Sequence, residues 1–246
     1  MKELEATLDQ LVVANRILAN EAIVDAYGHV SVRHPKDPGR YFQARSLAPE
    51  LVRREDIMEF HLDGRPASGD TRTPYLERFI HGAIFEARPD VQAVIHAHAE
   101  DVLPFTITRT PLRPVIHSGS FIGAQVPVWD IAERFGDKTN LLVVNMAQGR
   151  DLAQSLGARN VVLMRGHGFS AAARSVVEAV RMSVYLARNA RAQFKAMQLG
   201  EFKPLSQGEI DARNTTGYKP DSPETQRAWE YWATRAGCAE LLKKPG

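Results

Sequence analysis

The run Val91-Gln92-Ala93-Val94-Ile95 closes on His96-Ala97-His98, and this string limits the fold most tightly. A short, apolar, β-branched run reads as a buried strand. Side chains in a strand alternate between faces, so residues two apart point the same way. The chain must therefore build a sheet that carries two imidazoles on one face, at a strand end. A third histidine follows another apolar run, Val161-Val162-Leu163-Met164, within Arg165-Gly166-His167-Gly168. Its flanking glycines let the backbone turn sharply or come close to a ligand. Three neutral nitrogen ligands with an open position describe a catalytic metal centre rather than a structural one. Taken singly, an H-x-H pair arises by chance and a glycine-flanked histidine is a common turn residue. The single cysteine, Cys238, excludes a thiolate cage.

A chain of 246 residues suits one domain, or one domain with a tail. Its hydrophobic fraction of 44% supplies a sizeable core. The net charge of +2, with no basic block, argues against nucleic acid as a partner. A lone cysteine forms no internal disulfide, which suits a reducing compartment. The start, Met1-Lys2-Glu3-Leu4-Glu5, lacks a secretory pattern, and no run of about 18 apolar residues suggests a membrane span. A cytoplasmic protein is expected.

Apolar residues at three- and four-residue spacing predict a helix over 4–26, stopped at Tyr27-Gly28. Alternation predicts strands over 30–33, 41–44 and 57–62, the first two joined by the turn Pro35–Gly39. Thr73-Pro74 reads as the N-cap and first turn of a helix running to Arg88-Pro89. Further strands are expected near 113–116, 126–129 and 161–164. Further helices are expected over 99–107, 130–135, 147–157 and 174–199. A domain over 1–205 is followed by a polar tail, 206–246, whose helix starts near Ser222-Pro223 and carries Trp229, Tyr231 and Trp232. Those aromatics serve packing on the body or docking on a neighbouring subunit. Alternating helices with frequent hairpin signals imply an α/β chain, its sheet largely antiparallel or mixed, with helices on its faces.

The order of these signals resembles the class II aldolase and adducin family over roughly residues 5–200. The resemblance rests on Gly28-His29-Val30-Ser31-Val32-Arg33, on Glu77, on His96-Ala97-His98-Ala99 and on Gly166-His167-Gly168. It implies a three-layer α/β/α sandwich around a mostly antiparallel sheet. It also implies a homotetramer with sites between subunits and a divalent metal, zinc or manganese, held by His96, His98 and His167. Glu77 becomes the acid/base group. Near a helix N-terminus, the dipole favours its anion, so proton donation calls for burial or a substrate carboxylate. His81, one turn on, is within reach of Glu77 and reads as structural.

Departures from the family's aldolases are informative. Those enzymes hold a phosphate with hydroxyl and amide groups, where this chain carries His29, Arg45-Ser46 and Tyr75-Leu76. A guanidinium suits a planar carboxylate as well as a phosphate, and the bulk shrinks the space. Arg45-Ser46-Leu47-Ala48-Pro49, Pro114-Val115-Ile116-His117 and 160–169 resemble the decarboxylase branch. Its members act on hydroxy-substituted aromatic or pyridine carboxylates, one of them in vitamin B6 breakdown, and on carboxy-muconic semialdehydes. The resemblance implies a small carboxylate substrate, bound by His29, Ser31, Arg45, Ser46, Tyr75 and the tail's Tyr218. It implies proton transfer by Glu77 or His117, and no organic cofactor. Arg165 reads as a core-edge arginine paired to a carboxylate. The rivals are an aldolase or epimerase of the same fold and a non-catalytic adducin-like interaction domain.

Overall fold

The computed structural model describes residues 2–67, 69–215, 219 and 222–242. The elements are α1 (Lys2–Asn20), β1 (His29–Arg33), β2 (Arg40–Ala44), β3 (Ile57–His61), α2 (Arg78–Ala87), β4 (Ala93–Ala97), α3 (Pro104–Ile107), β5 (Val128–Trp129), α4 (Ile131–Phe135), α5 (Met146–Leu156), β6 (Val161–Met164), β7 (Gly168–Ala173), α6 (Val176–Leu199), α7 (Gln207–Thr215) and α8 (Pro223–Arg235). Short 3-10 turns cover Pro49–Leu51, Arg54–Asp56, His117–Ile122 and Ala239–Leu242.

One sheet runs in the order β3-β2-β1-β4-β7-β6-β5. Its pairs are antiparallel except β5 with β6. The period-2 pattern of the strands separates two cores. Val30, Val32, Ala93, Ile95, Ala97, Phe169 and Ala171 face α1, α6 and α8. Tyr41, Phe60, Val94, Val162 and Ala172 face α2 and α5. Two apolar faces are thus covered by helices, giving the α/β/α sandwich. Each fully buried Phe, Leu or Ile in those layers contributes about 1.5–3 kcal/mol. Trp229 and Trp232 of α8 enter the same core as α1 and α6, so this helix packs on the body of its own chain. Tyr231 stays 57% exposed. Among the described residues, no helix is long and apolar enough to cross a membrane.

Several expected elements are corrected. The first helix ends at Asn20, because Ala22 takes a positive φ of 55° and the chain turns there, well before Gly28. Thr73-Pro74 opens no helix. Pro74 bridges Arg45 across the sheet margin and Ser46 N–H donates to Thr73 O at 2.8 Å, so the segment is extended and α2 begins four residues later. The helix expected over 99–107 is only α3, and 126–129 contributes only two strand residues.

Residues 113–116 form no strand. Pro114 has no N–H to give a ladder. Instead α6 supplies the partners through side chains. Asn189 Oδ1 accepts from Val115 N–H at 2.8 Å and Asn189 Nδ2 donates to Arg113 O at 2.7 Å. Gln193 Oε1 accepts from Arg113 N–H at 2.7 Å and its Nε2 donates to Pro111 O at 2.8 Å.

Candidate metal centre

The β1–β4 register sets His29 opposite His96, and β4 meets β7 with His96 opposite Ser170. His96 therefore points to the α2 side of the sheet, away from Ile95 and Ala97. His98 lies just past the strand end, and the two rings still converge, with their Nε2 atoms 3.0 Å apart. His167 sits in the tight β6–β7 connection. Gly166 turns that connection with φ of 63°. At Gly168 an added Cβ would lie 2.2 Å from the Ala97 carbonyl oxygen, so only glycine lets β7 close on β4 there. The His167 ring consequently stacks on His98 at 4.9 Å between centroids.

Backbone carbonyls fix the ring orientations. His96 Nδ1–H donates to Phe169 O at 3.1 Å, and His167 Nδ1–H donates to Leu141 O at 2.9 Å. Each neutral ring then presents its Nε2 lone pair to the centre. Burial, reinforced by the neighbouring imidazoles, pushes His96 well below the usual histidine pKa and also lowers His98.

Glu77 completes the group. It occupies the N-cap position of α2 but makes no capping bond with its side chain. Its Oε1 accepts from Val143 N–H at 2.9 Å. Its Oε2 lies 3.4 Å from His167 Nε2 and 3.6 Å from His96 Nε2. One ligand atom from each of Glu77, His96, His98 and His167 falls within 4.8 Å of the others. Ligand atoms about 2.0–2.1 Å from a tetrahedral ion stand about 3.3 Å apart, and the His96–His98 spacing of 3.0 Å suits that. Converging lone pairs and a carboxylate form a donor set that fits a divalent metal ion.

The remaining sequence-predicted residues divide. His29 is 4% exposed, with its ring 5.1 Å from His96 and 4.7 Å from Tyr75. The Tyr75 hydroxyl donates to Leu47 O, and burial pushes its pKa up to about 12. Arg45, beside Tyr75, pairs its Nε with Asp56 Oδ1 at 2.7 Å while its side chain stays 38% exposed. Ser31 is fully buried behind His81, and Ser46 is exposed. His117 is exposed at the head of its 3-10 turn and meets Ser118 Oγ at 3.2 Å, so the described contacts do not bring it to Glu77. Tyr218 lies outside the described residues. Arg165 pairs with Asp130, as a core-edge arginine should.

His81 turns to His29 and Ser31 rather than to Glu77. Its place at i+4 from Glu77 was readable in sequence, but which neighbour it meets was not. The carbonyls of Leu141 and Phe169 and the amide of Val143 left no sequence signal, since any residue type supplies them. Leu141 does so from a positive φ of 64°.

The model of the class II aldolase and adducin N-terminal domain matches residues 9–194. The decarboxylase tropJ of Talaromyces stipitatus is 38% identical over 237 residues, covering 88% of each chain. A 3,4-dihydroxyphthalate decarboxylase of Arthrobacter keyseri is 28% identical over 94% of each chain. An aldolase II superfamily protein from Pseudomonas syringae shares the fold with a TM-score of 0.79, at 20% identity, over 98% of this chain and 96% of that one. The chain thus belongs to the class II aldolase and adducin family.

Proposed function

We propose that this chain is a metal-dependent carboxy-lyase acting on a small hydroxy-substituted aromatic or pyridine dicarboxylate. The observation that carries this reading is the similarity to two named decarboxylases over 88% and 94% of the chain, joined to a cluster of metal-ligating side chains. His96, His98 and His167 would hold a zinc or manganese ion, which would supply Lewis-acid stabilisation of the charge left on the substrate when a carbon–carbon bond parts. No organic cofactor is required for that chemistry.

The chain's own residues do the rest. Glu77 Oε2 faces the cluster while Oε1 is pinned by Val143 N–H, so one carboxylate oxygen is placed to hold or deliver a proton at the substrate carbon. Glu77 is preferred over His117 for this step because His117 is exposed and its described contact is with Ser118. His29 and Tyr75 form an aromatic wall beside the ligands. A flat ring lies against such a wall better than a sugar does. Arg45 has its Nε on Asp56, and the other nitrogens of its fork suit a second carboxylate. Tyr218 and Ser46 remain proposed substrate contacts, and sites at the interfaces of a cytoplasmic homotetramer are part of the same proposal.

The test is a screen of dihydroxyphthalates, hydroxybenzoates and hydroxypyridine dicarboxylates for carbon dioxide release by metal-loaded protein. Release from at least one is expected. Silence on all, with cleavage of a sugar phosphate to an aldehyde and dihydroxyacetone phosphate, would replace this reading by the aldolase one. Silence throughout would favour the non-catalytic domain.

A further inference from the structure

A buried polar seam runs behind the metal ligands. Ser31 Oγ meets His81 Nδ1 at 2.6 Å, and His81 Nε2 meets His29 Nδ1 at 2.6 Å. Ser31 and His81 are 0% exposed. Across the β1–β2 pair, Gln43 stands opposite Ser31, also 0% exposed, with both of its amide atoms unpaired. Two imidazoles, a hydroxyl and an unsatisfied amide in a sheet–helix interface are costly to bury where aliphatic residues would pack. Stability alone does not account for them.

The seam points at the site. Its last member, His29, is hydrogen-bonded on Nδ1 and packed between Tyr75 and His96. Only Nε2 of His29 is left for a ligand. A neutral imidazole carries one N–H, and the bond made by one nitrogen decides whether the other donates or accepts. The His81 ring has partners on both nitrogens and also bonds the Val94 backbone. The Ser31 hydroxyl can donate or accept, so the Val94 carbonyl settles the His81 tautomer and makes the ring a rigid partner.

We infer that His81 is a positioning residue: anchored by Ser31, it fixes the ring plane and tautomer of His29 and so determines how His29 Nε2 meets the substrate carboxylate. This rests on the decarboxylase reading for the identity of the substrate, but not for the link between the two rings.

The experiment combines spectroscopy with a double-mutant cycle. In zinc-loaded protein labelled with 15N at histidine, long-range 1H–15N spectra of wild type, H81L and H81Q report the His29 tautomer without any substrate. A single tautomer is expected in wild type and H81Q, whose amide can reach the same nitrogen, and tautomer averaging in H81L. With the substrate found by screening, H81L should lose about tenfold or more in kcat/KM and H81Q should regain much of it. In an H29A background the same H81L change should have little further effect, as coupling through one residue requires. An unchanged His29 spectrum in H81L, or equal H81L losses with and without His29, would overturn the inference. If H81L fails to fold, H81A against H29A/H81A carries the same comparison. Failure of every substrate would count against the decarboxylase reading alone, since the spectra still decide the ring linkage.

Discussion

Glu77 Oε2 lies 3.4 Å from His167 Nε2, while its other oxygen is held by the Val143 amide at 2.9 Å. A helix N-cap residue thereby gives up capping and turns its carboxylate into the histidine cluster. Glu77→Gln keeps the shape and the bond from Val143 only if the amide oxygen takes the Oε1 place. Turnover should fall about a hundred- to ten-thousand-fold, the usual range for a lost proton-transfer group. Metal content should stay near wild type, because three imidazoles remain. Steady-state kinetics with metal analysis of the same sample reads both.

Gly168→Ala tests the fit of β7 on β4. The new methyl would lie 2.2 Å from Ala97 O and 3.1 Å from His98 Cδ2. Backbone must move to admit it, and the strand that moves leads directly from His167. Loss of on the order of 1–3 kcal/mol in stability is expected, together with weaker metal retention on dialysis. Full retention with unchanged denaturation would show that the connection tolerates more than its spacing suggests.

Asn189→Ala should destabilise through the 113–116 segment. Its side chain serves Val115 N–H and Arg113 O, and a backbone group left without a partner costs about 1–3 kcal/mol. Urea denaturation should show an earlier midpoint at unchanged slope.

That segment also shows where the sequence was opaque. The apolar run at 161–164 matches β6, and the amphipathic pattern over 174–199 locates α6 within two residues. One is an unbroken apolar run and the other an amphipathic repeat, and both are strong local signals. Residues 113–116 looked strand-like locally, but their hydrogen bonds come from a helix some seventy residues away in the chain, which no local pattern reveals. Thr73-Pro74 has helix-starting chemistry, yet pairing with Arg45 and Ser46 overrides it. β7 and α7 were not anticipated, the first because Gly168–Ala173 is rich in small residues and the second because its face is mostly polar. The three clustered histidines and Glu77 were legible as residue types at strand ends and a helix start. Their second hydrogen bonds were not, because backbone groups supply them.

Acid should weaken the fold in part through His81. Its folded pKa of about 3 lies below the unfolded value of 6.5. Between these values the unfolded chain binds a proton that the folded chain refuses. The stability is therefore complete above pH 6.5 and is lost as pH falls toward 3, by at most about 1.4 kcal/mol per pH unit for this group. H81Q should lose less than wild type between pH 7 and 5, read as the difference in denaturation midpoints. Identical pH slopes for the two proteins would contradict the burial of a neutral ring.

Metal stoichiometry of the purified protein tests the central claim most directly. Elemental analysis should find close to one divalent ion per chain in wild type and a loss of at least tenfold in affinity in H96A, with carbon dioxide release abolished by a chelator and restored by zinc or manganese. A full metal load in H96A, or turnover that survives complete removal of the ion, would contradict the account.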